Sequence, residues 1–336
     1  MNVMKTKPFK RSIMNKAEID FFQTQGYTFV RTIAQGGYGV VFAMHSNKYN
    51  IDYAIKRIPK CFLSNSELDC LMQIDDPYIV RLYQVLYLGD FIYMVMELCQ
   101  NDLFNIFTNT PQLSDEQMKK YALAMILAIK SVHDRNIAHC DIKPANFFID
   151  SYGRVKIGDF GLSSINGTAV TCKMQKGTRL YMAPEMYVLK EYNAMKSDIW
   201  SLGVSLYYMA TKQYPFNAPD QSKLEQIVNI GLFPKEQVRD KQLLGLICRC
   251  LEKNPSRRPT INDLLRIPYL KEQLSNEPCC RFVLPHFHKC SKPIIKPEIK
   301  PRNSLCAFAS NLQIHCFKGS KMRLINSERE ISVCIK

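Results

Sequence analysis

The sequence predicts an α+β chain, with a small, mainly antiparallel sheet near its beginning and a larger helical part behind it. Three observations carry this. Strand character is concentrated in the first hundred residues, in the glycine-punctuated run from Ile33 to Val41, in Tyr53-Ala54-Ile55-Lys56, and in the unbroken apolar run Phe91 to Met96. A long helical pattern then runs from Ser114 to Asn136, with Asp115 and Glu116 in its first turn and Lys130 and Arg135 towards its end, as the helix dipole favours. Finally, 336 residues of 46% apolar composition suffice for a sizeable interior.

Taken in order, Ile33-Ala34-Gln35-Gly36-Gly37-Tyr38-Gly39-Val40-Val41 reads as a hairpin with a glycine-rich turn, where missing side chains let backbone N–H groups approach a ligand closely. The next strand ends on Lys56. Glu67, with Leu68, Leu71 and Ile74 at helical spacing, marks a helix, and Ser64-Asn65-Ser66-Glu67 also fits a capping box, in which Glu67 would only serve the helix start. The apolar run ending at Met96 leads through Glu97 into a connection. Behind the long helix, His139-Cys140-Asp141-Ile142-Lys143-Pro144-Ala145-Asn146 sets a carboxylate, a lysine and an amide on one short segment, and Asp159-Phe160-Gly161 brings a second carboxylate from a separate strand-turn. These residue types suit phosphoryl transfer, which needs charge neutralisation and alignment of the attacking hydroxyl more than covalent help.

From about Tyr27 to Leu270 these motifs, in this order, resemble the eukaryotic protein kinase family. The resemblance implies a two-lobed fold: an antiparallel N-lobe sheet with one C-helix, a hinge near Glu97 to Asp102, and a mainly helical C-lobe. ATP would bind between the lobes. The glycine-rich hairpin, Ile33 to Val41 with Ala34 in place of the first glycine, would cover the phosphates, Lys56 would pair the α- and β-phosphates, and Glu67 would hold Lys56 by an ion pair, the reading favoured over the capping box. Only eleven positions separate Lys56 and Glu67, so the C-helix is expected to be short at its N-terminal end. Met96 would be the gatekeeper, the backbone of Glu97 and Cys99 would bond adenine, and Asp102 would sit near the ribose. Val41 and Ala54 above and Phe148 below would sandwich the base. Asp141 would orient the substrate hydroxyl and take its proton, Lys143 would contact the transferring phosphate, and Asn146 with Asp159 would hold Mg²⁺, with Mn²⁺ as a second candidate.

The resemblance extends to class. Lys143, two positions after Asp141, and the segment Gly177-Thr178-Arg179-Leu180-Tyr181-Met182-Ala183-Pro184-Glu185 are similar to the serine/threonine type, with Thr178 touching the catalytic residues. Ala145 and Tyr208 stand where relatives that favour arginine before the phosphosite carry acids, so at most a modest preference for basic substrates is expected. Cys140 replaces an arginine that often collects an activation-segment phosphate, so activity without phosphorylation of Ser163, Ser164, Thr168 or Thr171 is expected. A redox role for Cys140 is the alternative. Leu71, Leu82, His139 and Phe160 would form the regulatory spine, the aspartate of Ser197-Asp198-Ile199-Trp200 would anchor the catalytic loop, and Arg258 would pair with Glu185. The general character is closest to calcium/calmodulin-regulated kinases.

The ends read differently. Residues 1–26 are a basic extension with Lys5, Lys7, Lys10, Arg11 and Lys16 and no apolar stretch long enough for a signal peptide or membrane span. The kinase domain is expected over 27–273, with an N-lobe at 27–97 and a C-lobe at 102–273, and a basic tail over 274–336. Residues 277–336 hold eleven Lys/Arg against four Asp/Glu, which favours a solvated, partly disordered extension, with acidic partners, lipid surfaces or regulation in cis as sharper readings. The tail carries six of thirteen cysteines and three of six histidines, including Cys279-Cys280 and His286-Phe287-His288-Lys289-Cys290, but lacks two separated zinc-binding arms. Pro285, Pro293, Pro297 and Pro301 favour an extended linker, followed by some strand-like alternation from Leu312 to Lys336. Reduced thiols and a cytoplasmic, intracellular setting are expected, with the nucleus as the alternative. No nucleic-acid motif accompanies the net charge of +15. The reading from another class is a scaffold that keeps the fold without phosphotransfer, suggested by Ala34, the short C-helix and Phe148.

Overall fold

A computed structural model describes residues 14–36, 39–62, 71–160, 164–165, 171–172, 177–189, 191–270, 324–326 and 329–331. The chain divides into two compact units, Met1–Cys279 and Cys280–Lys336.

The first unit opens with a helix, α1 (Lys16–Thr24), started by a reciprocal capping box between Asn15 and Glu18. Strands β1 (Tyr27–Gly36), β2 (Gly39–Ser46), β3 (Ile51–Pro59), β4 (Leu82–Leu88) and β5 (Phe91–Glu97) form one antiparallel sheet in the order β1-β2-β3-β5-β4. Across its centre Val41, Lys56 and Met94 share one register row and Val40, Arg57 and Tyr93 the next, so successive residues fall on opposite faces. One face packs Val40, Phe42, Met44, Tyr53, Ile55, Tyr93 and Val95 against Met14 and Phe22. Residues 1–26 read from sequence as a basic extension, yet their last part covers this sheet face, because the apolar stripe of α1 has Phe22 fully buried. The other face joins Ile58, Leu71, Leu82 and Met94 to the large cluster of the helical part.

Beyond Glu97, β6 (Asn101–Asp102) leads into α2 (Leu103–Asn109), capped by Asp102. Helix α3 (Asp115–His133) starts on a Ser114–Gln117 capping box. It ends three residues before the predicted Asn136, since Asn136 takes a left-handed φ of 56° and Arg135 turns back onto the Ser131 carbonyl. Short strands β7 (Ile137–Ala138), β8 (Phe147–Ile149) and β9 (Val155–Ile157) follow, and β6-β8-β9 form a sheet beneath the connection. Strand β10 (Ser164–Ile165) pairs with β7, and β11 (Thr171–Cys172) with β12 (Tyr192–Asn193). After α4 (Glu185–Val188), helix α5 (Ala194–Thr211) is buried over nearly its whole length and forms the axis of the lobe. Helices α6 (Gln221–Ile230), α7 (Lys241–Cys250) and α8 (Ile261–Leu264) complete it. A small antiparallel sheet unit with a larger helical one is the predicted α+β, two-lobed architecture.

In the second unit, β13 (Leu324–Asn326) and β14 (Arg329–Ile331) pair as an antiparallel hairpin within the stretch of predicted alternation. The tail cysteines and histidines lie outside the described residues. Among the described residues no helix is long and apolar enough to cross a membrane.

Candidate active site

The loop after β7 is fixed from below by α5. Asp198, 1% exposed, accepts the backbone N–H of His139 at 2.8 Å and of Cys140 at 2.9 Å, and lies 2.9 Å from His133 Nε2. Three partners on one buried carboxylate hold the backbone where Cys140 takes a left-handed φ of 64°. His139 is fully buried, 2.9 Å from the Gly158 carbonyl and with its ring 5.1 Å from Phe160, so it packs the site rather than lining it. Leu71, Leu82 and Phe160, expected to stack with it, line one pocket together with Lys56, Met94 and Met96.

Asp141 therefore emerges from a rigid base. Its Oδ2 accepts Lys143 Nζ at 2.7 Å and Asn146 Nδ2 at 3.1 Å, and its Oδ1 accepts the N–H and hydroxyl of Thr178 at 3.0 and 2.9 Å. Lys143 also donates to Thr178 Oγ1 at 2.9 Å. Thr178 reaches Asp141 because Gly177, at φ 107°, packs on the loop so closely that a Cβ there would lie 2.6 Å from the Cys140 carbonyl. Asn146 Nδ2 donates to the Asp141 carbonyl at 2.7 Å, which fixes the amide so that its oxygen is the end left for another partner.

The second carboxylate comes from the other direction. Asp159, also left-handed at φ 64°, accepts a hydrogen bond from Lys56, which is 9% exposed on β3. This pair joins the sheet to the helical lobe. The described residues thus bring Asp141, Lys143, Asn146 and Thr178 into one network and Lys56 and Asp159 into a second. Gly37, Tyr38 and Glu67 lie outside the described residues, and with them the expected Lys56–Glu67 ion pair.

The connection between the lobes is held from behind. Glu97 accepts Lys156 Nζ at 2.7 Å, and the Glu97 N–H donates to the Arg81 carbonyl at 2.9 Å. Burial, and then the nearby Glu97 charge, push the Cys99 thiol up to about 12. Ala54 lies opposite Met96 in the ladder, and Val41 lies beside Lys56. Phe148 pairs with Asp102 across β6 and β8. Asp102 uses both oxygens on Asn105, at 2.9 Å to its N–H and 2.7 Å to its side chain. Ile33, Ala34, Gln35 and Gly36 are exposed at the end of β1, next to Gly39. Gly39 abuts β3, where a Cβ would meet the Arg57 carbonyl at 2.2 Å. The Val40 side chain is 1% exposed on the face away from Lys56, because the strand period of two turns it under α1, which leaves only its backbone to the hairpin's other side.

Two ion pairs support this geometry. Arg258 meets Glu185 through two bonds of 2.6 and 2.9 Å, as expected, and lies 5.2 Å from the Trp200 ring. Glu18 holds Arg57 at 2.6 Å, which the sequence reading missed, although the Asn15-x-x-Glu18 pattern was a visible helix-start signal. Lys156 on Glu97 was also missed, since a lysine on a short strand reads as solvated.

A carboxylate aligned by a lysine, an amide and a threonine, opposite a lysine–carboxylate pair, can align a hydroxyl, take its proton and neutralise phosphate charge. Residues 27–270 match the protein kinase domain. Mouse sperm motility kinase 2B is 31% identical over 251 residues, covering 73% of this chain and 52% of the relative. The carbon catabolite-derepressing protein kinase of Saccharomyces cerevisiae is 30% identical over 285 residues, covering 82% of this chain and 43% of the relative. The chain spans about half the length of the curated relatives it matches.

Proposed function

The chain belongs to the eukaryotic protein kinase family, of the serine/threonine type, and on that premise we propose that it transfers the γ-phosphate of Mg-ATP to serine and threonine hydroxyls of protein substrates in a signalling role. The observation that carries this reading is the four-donor arrangement on Asp141. Donors on both oxygens fix the plane of the carboxylate, so an incoming hydroxyl meets an oriented acceptor for its hydrogen bond and then its proton. Lys143 sits one bond from that carboxylate and turns its charge to the transferring phosphate. Lys56 presents its charge to the α- and β-phosphates from the sheet side, steadied by Asp159. Adenine is held between Val41 and Ala54 above and Phe148 below, with the backbone of Glu97 and Cys99 as its hydrogen-bonding edge.

Asn146 and Asp159 form the metal-holding pair. One carboxylate and one amide oxygen suit a hard divalent cation that keeps waters and takes its remaining ligands from phosphate. When bound, Mg²⁺ supplies neutralisation of the phosphate oxygens. The catalytic domain proposed is 27–273, served by an N-terminal helix and followed by a basic tail that recruits acidic partners or regulates in cis. A cytoplasmic setting is proposed with it. The test is transfer from Mg-ATP to generic serine/threonine substrates by wild type, Asp141→Ala and Lys56→Met. Transfer by wild type alone supports the reading, and binding of ATP without transfer by wild type replaces it with a scaffold.

A further inference from the structure

Helix α1 precedes the segment that carries the family likeness, yet it grips the strand that carries Lys56. Glu18 is 2% exposed and spends both oxygens: Oε1 accepts Arg57 Nη1 at 2.6 Å and the Tyr93 hydroxyl at 2.5 Å, and Oε2 accepts the Asn15 N–H at 2.7 Å. One carboxylate thus starts the helix and fastens it to β3 and β5. Arg57, also 2% exposed, has its guanidinium 5.3 Å from the Phe42 ring and 5.4 Å from the Phe91 ring. Phe22, fully buried, meets Tyr93 and Tyr27 edge-on beside it.

Arg57 is the residue next to Lys56. The pleat sends Lys56 towards Asp159 and Arg57 to the reverse face, so anchoring one fixes the other. Its carbonyl is also the atom that Gly39 abuts at the end of the glycine-rich hairpin. Both elements that would handle the nucleotide phosphates therefore rest on Arg57. A guanidinium deprived of its buried carboxylate is driven towards water, which displaces the strand that bears it.

We propose that Glu18 is a positioning residue for nucleotide binding, acting through Arg57 to hold β3, Lys56 and the end of the glycine-rich hairpin in place, so that α1 is a working part of the catalytic unit. This rests on the kinase reading above.

The experiment uses the full chain and reads the Kd of a fluorescent ATP analogue, with KM for ATP and for a peptide, below the melting temperature of each variant. Glu18→Gln is expected to weaken nucleotide binding about tenfold and raise the ATP KM in parallel, with the peptide KM unchanged. Adding Arg57→Met to Glu18→Gln removes the stranded charge but not the need for the anchor, so it is expected to recover the melting temperature while nucleotide binding stays several-fold weaker than wild type, and full recovery of binding would count against the proposal. Tyr93→Phe removes a single hydroxyl and keeps the test open if Glu18→Gln fails to fold, with an expected loss of about threefold. A lower melting temperature with unchanged nucleotide Kd and ATP KM, in whichever variants fold, would reduce α1 to a stabilising brace and overturn the proposal. Wild type that binds no nucleotide would overturn this proposal and the kinase reading together, whereas wild type that binds and transfers normally alongside unaffected variants would overturn this proposal alone.

Discussion

Thr178 gives both its backbone N–H and its hydroxyl to one carboxylate oxygen of Asp141, at 3.0 and 2.9 Å, while Lys143 bridges the two side chains. The segment after Gly177 is thereby tied to the loop that carries Asp141. Thr178→Val keeps the shape and the N–H bond but removes both hydroxyl contacts. Its kcat should fall about tenfold, with the ATP KM nearly unchanged, because a hydrogen bond to a charged group is worth about 1.5–3 kcal/mol. Steady-state kinetics with varied ATP check this, and an unchanged kcat would detach Thr178 from the acceptor.

Arg258 and Glu185 form a buried bidentate pair. Arg258→Met alone strands a carboxylate and should cost about 3–5 kcal/mol in denaturant unfolding. Replacing Glu185 by Gln in the same chain should recover part of that loss, since only the stranded charge is expensive. Equal losses in the single and double variants would mean that packing on Trp200, not charge, supplies the stability.

The active-site loop was legible because its chemistry is local: Asp141, Lys143 and Asn146 fall within six positions, and no tertiary contact is needed to bring them together. The sheet was legible from the glycine-rich hairpin, the strand ending on Lys56 and the apolar run ending at Met96. What could not be read were the partners chosen by packing. Glu18 looks like an ordinary acidic residue among lysines until α1 lands on the sheet and buries it against Arg57, 39 positions away. Lys156 was hidden for the same reason, its Glu97 partner being 59 positions distant. The strand period also sends the side chains of Val40 and Val41 to opposite faces, which reading the glycine-rich segment as one block does not distinguish.

Acidity gives a third check. Burial alone would raise the Glu18 carboxyl, but hydrogen bonds from Tyr93, Arg57 and Asn15 outweigh it and hold the group below its ordinary 4.5. A depressed carboxyl contributes stability that is present above the unfolded value and lost as pH falls through the folded one. The stability advantage of wild type over Glu18→Gln should therefore be constant near neutrality and shrink as pH drops below about 4.5. Urea melts at stepped pH measure it, and a gap that stays constant at low pH would show that Glu18 is not ionised in the fold.

Cys140 brings no charge to the loop, and its backbone is held by Asp198. Exchanging Ser163, Ser164, Thr168 and Thr171 together for alanine should leave most of the activity of the wild type, because Cys140 offers an added phosphate no positive charge. Complete loss in an assay of the purified quadruple variant would show that a phosphate is needed after all.

The most direct test of the account is to measure ATP binding and labelled γ-phosphate transfer side by side in wild type and Asp141→Asn. The geometry predicts that wild type transfers phosphate to serine or threonine and that Asp141→Asn binds ATP with similar affinity while its transfer falls by about 10²–10⁴-fold, the usual worth of a positioned proton acceptor. Transfer at the wild-type rate by Asp141→Asn, or wild type that binds ATP and transfers nothing, would contradict it.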